Sequence, residues 1–195
     1  MNPLEEAATT KNKNVIDMAI TFSAMHRLFE KGSKQKIADK LECSFGILAS
    51  CHDKTNFEKI HSEFCEWFVK NVSTAEKKMK NKKIKASQAA SYGQAAKVFD
   101  VAAKVYVYYC HFPCSKSFEK LLPMLHAAVD TLMMKNLKKK YPEERIKATT
   151  IEAVDKSEYD TLQNMVTKHI KDEYADSILP VHYDDIMWHQ LNRSV

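Results

Sequence analysis

Three glycines in a chain of 195 residues leave few positions for the positive-φ turns on which tight β-hairpins, barrels and glycine-rich nucleotide loops depend. The chain is therefore expected to be all-α. At roughly 150 residues per domain the length suits one domain, and a chain of this size buries enough surface to need no covalent staples. Five cysteines, Cys43, Cys51, Cys65, Cys110 and Cys114, are an odd number and read as thiols of a reducing compartment. Cys110 and Cys114 have no second pair at zinc or cluster spacing, so neither a metal nor a cofactor is expected. No apolar run approaches the ~20 residues that cross a bilayer. The opening MNPLEEAATTKNKN is acidic and polar where a signal peptide is basic and then apolar, which predicts a cytoplasmic protein with no membrane partner.

Apolar residues recur at helical spacing along most of the chain. Val15, Met18, Ala19, Phe22, Met25 and Leu28 predict a helix over 14–30, with Gly32 as its stop. Two further helices are predicted over 34–48 and 56–71. The second carries a stripe of Phe57, Ile60, Phe64, Trp67 and Phe68 that reads as core. Strong helical patterning resumes over 94–110, then over 117–136, and helices are expected near 156–175 and 182–192, separated by Pro180.

The 30 basic residues exceed the 25 acidic ones by only five, so their placement matters more than their sum. Six lysines fall between positions 77 and 85, among them Lys82, Lys83 and Lys85, and a second cluster spans 135–140. Such runs are solvated faces or phosphate-contacting segments. Between them the sequence reads as helix, tight turn at Gly93, helix, and then Asp130, an acid 33 residues beyond Lys97. Asp130 stands among Ala127, Ala128, Val129, Leu132 and Met133, where a carboxylate is costly unless it caps a helix, pairs with a cation or does chemistry. Lys97, placed in the first turn of its helix, stands at the positive end of the helix dipole and is a candidate nucleophile.

These residues resemble the helix-hairpin-helix DNA glycosylases of the 8-oxoguanine type. The hairpin of that family reads approximately G-x-G-x-K-x-A-D, with the lysine as nucleophile, followed by a V-D element carrying the catalytic aspartate. SYGQAAKVFD supplies Gly93, Lys97 and Asp100 at matching positions, and HAAVD supplies Val129 and Asp130. The 33-residue interval resembles the archaeal branch, which holds the flipped base with an Asp and a Trp one helical turn apart; DDIMWHQ offers Asp184 and Trp188 at that spacing. The likeness is specific over about 88–134 and departs from the pattern at Ala95, where the family has a second hairpin glycine, and at Ala128, where it has proline.

The resemblance implies a monomer that binds duplex DNA through amides near Gly93 and Gln94 and through Lys82, Lys83 and Lys85. The target base would flip into a pocket against Asp184, Trp188 and His126, and Lys97 and Asp130 would cleave the glycosidic bond. The base is oxidised guanine in repair, or a hypermodified base of foreign or phage DNA in defence. Two rivals stay open: a non-catalytic module that keeps the hairpin for phosphate contact, and a helical interaction protein for which the lysine runs serve solubility.

Overall fold

The computed structural model describes residues 2–78 and 84–193 and is mostly helical. Eight α-helices occur among the described residues: α1 (Pro3–Phe22), α2 (Ser33–Leu48), α3 (Lys54–Asn71), α4 (Tyr92–Ala103), α5 (Ser115–Leu121), α6 (Thr131–Lys140), α7 (Lys156–Tyr174) and α8 (Pro180–Arg193). The only strands among them are the two-residue β1 (Lys77–Lys78) and β2 (Ile84–Lys85), paired antiparallel. Lys82 and Lys83 lie outside the described residues. No helix among those described is long and apolar enough to cross a membrane.

Helix α4 is the axis of the fold. Its sequence, YGQAAKVFDVAA, is apolar on nearly all sides, as a helix enclosed by others must be. It packs on α1, α2 and α3 and, on its other side, on α7. Phe99 meets Phe45 of α2 and Phe57 and Phe64 of α3 in edge-on and tilted ring contacts, so the stripe read from the sequence is core. A capping box starts the helix: the Ser91 hydroxyl accepts from the Gln94 amide at 3.1 Å, and the Gln94 side chain accepts from the Ser91 amide at 2.9 Å.

Beyond Ala103 the chain continues as a π-helical turn over Lys104–Tyr109, in which the Cys110 amide donates to the Val105 carbonyl five residues back. Such turns are uncommon and concentrate at functional sites. This one rotates Tyr109 onto the same side of the molecule as Lys97 and Lys104.

Three expectations from the sequence are corrected. The first helix starts at Pro3 under an Asn2–Glu5 capping box and ends at Phe22, and Gly32, at φ +89°, serves as the N-cap of α2. The helix expected over 117–136 is broken: Pro123 falls in a 3-10 turn, residues 125–130 have no regular secondary structure, and Asp130 caps α6. The helix-hairpin-helix expected over about 84–110 is not formed. A β-strand and extended chain precede α4, and the bridges Phe29–Thr74 and Ser73–Ala89 hold that chain against the body of the fold.

Candidate active site

The stripe Lys97, Val101, Lys104 runs along one face of α4 and its π-helical continuation, because residues four and three apart share a helix face. It forms the floor of a cleft of about 420 Å3, a size that accommodates a small organic group. Asp130 enters from the start of α6, Asp184, Asp185 and Trp188 from α8, Tyr109 from the π turn, and Phe22 from the end of α1. Four residues singled out in the sequence, Lys97, Asp130, Asp184 and Trp188, are thus brought to one cavity from three separate elements.

Lys97 lies in the second turn of α4 rather than the first, since the cap at Ser91 starts the helix earlier than the apolar pattern suggests. Its side chain is half-buried, and its amine has no hydrogen-bond or ion-pair partner among the described residues. One carboxylate oxygen of Asp130 caps α6, accepting from the amides of Leu132 at 2.8 Å and Met133 at 2.9 Å. The second oxygen has no partner among the described residues. The acid that looked buried in an apolar run is a cap whose free edge borders the cleft.

At the far wall, buried Lys104 is shared by two carboxylates. Its Nζ donates to Asp184 Oδ2 and, at 3.0 Å, to Asp185 Oδ1, which also accepts from the Tyr109 hydroxyl at 2.7 Å. Burial works against the Lys104 charge, but Asp184 and Asp185 outweigh it and hold the amine above the ordinary lysine range. Burial pushes the Asp184 carboxyl up to about 6, against the pull of Lys104 and with a further push from Asp185. Lys104 and Asp184 therefore face each other as an ion pair at neutral pH.

A stability prediction follows from Asp184. In the unfolded chain this carboxyl titrates near its ordinary ~3.9, so between that pH and about 6 the folded chain binds more protons. The stability it contributes is fully present below about pH 4 and is lost as pH rises through about 6. With a side chain only 5% exposed, the loss is on the order of 3 kcal/mol. Denaturant unfolding of wild type and Asp184→Asn across this range should show their difference in unfolding free energy falling by that amount. A difference flat with pH refutes the assignment.

Other residues named from the sequence lie elsewhere. The Gly93 amide donates to the Val154 carbonyl at 3.0 Å and the Gln94 amide to Ser91, so neither is free for a phosphate. Gly93 is a glycine because a Cβ there would lie 2.6 Å from the Ile151 carbonyl oxygen. Exposed Lys85 pairs with Glu152 at 3.2 Å. His126 does not line the cleft: its Nδ1 lies 2.7 Å from the Tyr159 hydroxyl and its Nε2 2.8 Å from Glu58 Oε1. Asp100, one residue round the helix from Val101, points away from Lys97 into the same buried group, where Tyr159 donates to its Oδ2 at 2.8 Å and His61 Nε2 lies 3.2 Å from its Oδ1. Among the described residues, His61, Asp100 and His126 are those whose donor atoms are close enough to share a metal ion.

Sequence reasoning missed Asp185, Tyr109 and Phe22 as cleft residues. Asp185 adjoins Asp184 and could have been included with it, whereas the π turn that aims Tyr109 leaves no trace in the apolar periodicity. Comparison of the chain with protein-family models, curated proteins and solved structures finds no match in any of the three.

Proposed function

We propose that the protein removes a base from DNA by attack of Lys97 on the C1′ carbon of a flipped nucleotide. The observation that carries this reading is the unpartnered, half-buried Lys97 amine opening into the same cleft as the free carboxylate edge of Asp130. A neutral amine at C1′ forms a new C–N bond as the glycosidic bond breaks, and the departing base takes that electron pair and a proton. Asp130 takes the proton that the nitrogen sheds and returns it to O4′ as the C1′–O4′ bond opens, which leaves a protonated Schiff base on Lys97. Asp130 also stabilises positive charge developing at the sugar.

The remaining walls suit a base. Trp188 is 56% exposed at the mouth and Phe22 61%, flat apolar faces on which a base can stack. Asp184 Oδ1 and Asp185 Oδ2 have no partner among the described residues and can accept from the N–H edge of a base. With three carboxylates against two lysines the cleft repels phosphate, which favours entry of the base alone. Phosphate contacts fall instead to exposed Lys135 and Lys139 of α6, which make no ion pair among the described residues.

The test is base release from duplexes carrying oxidised guanine, uracil or hypermodified phage bases, scored as alkali-labile sites. Release from at least one of them is expected, and the base released distinguishes repair from defence. Salt-steep duplex binding with no release from any of them would make the protein a binding module instead.

A further inference from the structure

We propose that His61, Asp100 and His126 form a buried site for one divalent metal ion of zinc type, clamping α3, α4 and the 125–130 segment together behind the cleft. The three side chains are 2%, 1% and 7% exposed, and one donor atom of each lies within 4.8 Å of the others. Four ligands at the usual ~2.0–2.1 Å from zinc stand ~3.3 Å apart at the corners of a tetrahedron. Asp100 Oδ1 lies 3.2 Å from His61 Nε2 and 3.8 Å from His126 Nδ1, close to two such edges. The Tyr159 hydroxyl occupies the fourth corner, 3.2 Å from His61 Nε2 and 2.7 Å from His126 Nδ1.

The hydrogen count at this centre points to a missing cation. Glu58 accepts from His126 Nε2, which leaves Nδ1 as a lone pair facing inward. Three acceptors therefore converge, His126 Nδ1 and both oxygens of Asp100, and only two hydrogens face them, those of Tyr159 O–H and His61 Nε2. Asp100 Oδ1 is buried and accepts no aligned hydrogen bond. Leaving such a group unsatisfied costs about 1–3 kcal/mol, and a metal ion consumes the surplus lone pairs. The Glu58–His126 contact is also the carboxylate–imidazole pairing that orients metal-ligating histidines. Asp100 balances one charge of a divalent ion, and Glu58, which also pairs with Lys54 at 3.1 Å, lies behind His126 as a second carboxylate.

The residues are 39 and 26 positions apart along the chain, so no ligand spacing marks them in the sequence. The inference is independent of the proposed base removal, because none of the three side chains lines the cleft and its readouts are metal content and folding stability.

The experiment is elemental analysis of protein purified without a metal-affinity step. About one zinc per chain is expected, together with a Tm that falls by about 5–10 °C after chelator dialysis and returns with ZnCl2 alone. Replacing the ion with Co2+ should give the intense visible bands of a tetrahedral site. Asp100→Asn, which keeps the side chain's shape and gives it hydrogens, should lose the metal; if it fails to fold, the wild-type cobalt spectrum decides. Metal-free protein whose Tm does not move with ZnCl2 overturns the proposal, as does a weak octahedral cobalt spectrum or zinc retained by folded Asp100→Asn.

Discussion

Lys97→Gln is expected to abolish borohydride trapping of the protein on its substrate DNA and to lower base release by at least about 10^3-fold, while leaving unfolding free energy within about 0.5 kcal/mol of wild type. The two effects separate because the Lys97 amine makes no bond among the described residues that its removal would break, and no other described residue offers the cleft a free amine. Lys104, the other cleft lysine among the described residues, is held between Asp184 and Asp185 and stays charged. Asp130→Asn complements the test. Asn caps a helix as well as Asp does, so α6 should keep its start, while loss of the carboxylate should slow release by about 10^2–10^4-fold. Asp130→Ala should add a stability loss of about 1 kcal/mol. Trapping by Lys97→Gln at the wild-type level, or base release kept within about tenfold, would remove Lys97 from the role of nucleophile.

The fold class was legible because helices carry their pattern locally. The helices expected over 34–48 and 56–71 match α2 and α3 nearly end to end, since each is amphipathic and faces one side of the core. Helix α4 was recognisable too, but its start was displaced because a capping box, Ser91 to Gln94, extends helix beyond the apolar pattern. The break within 117–136 was hidden for the opposite reason. LLPMLHAAVDTLMM is apolar apart from His126, Asp130 and Thr131, and a buried irregular segment looks the same as buried helix. Pro123 and the capping competence of Asp130 were the two signals that could have placed it. Lys97, Asp130, Asp184 and Trp188 were each visible as residues, but their meeting in one cleft depends on the packing of α6 and α8 across α4, a long-range property with no local signature. The turn at Gly93 misled for a related reason: the glycine answers to the neighbouring 151–154 segment and not to a hairpin.

Gly93→Ala should destabilise the protein by about 2–4 kcal/mol, against the usual rule that Ala is better than Gly inside a helix by ~1 kcal/mol. Gly46, in α2, gives the contrast, because a Cβ there meets nothing within 4 Å and Gly46→Ala should stabilise by about 0.5–1 kcal/mol. At Gly93 the added methyl would lie 2.6 Å from the Ile151 carbonyl oxygen and 2.7 Å from Val154 Cβ, and neither atom can move by rotating a side chain. Relief requires the 3-10 turn Ile151–Ala153 to retreat from α4. That retreat stretches two bonds that tie it there, the Gly93 amide to Val154 at 3.0 Å and the Ser91 hydroxyl to Ile151 at 3.1 Å. Overpacking at ~1–3 kcal/mol and two hydrogen bonds at ~1 kcal/mol each outweigh the helix-propensity gain. Denaturant midpoints of the two variants should move in opposite directions from wild type. Because the same helix carries Lys97, Val101 and Lys104, base release by Gly93→Ala should also fall at temperatures where the variant is still folded. A Gly93→Ala protein as stable as wild type would mean that the 151–154 segment does not close on α4 as the geometry requires.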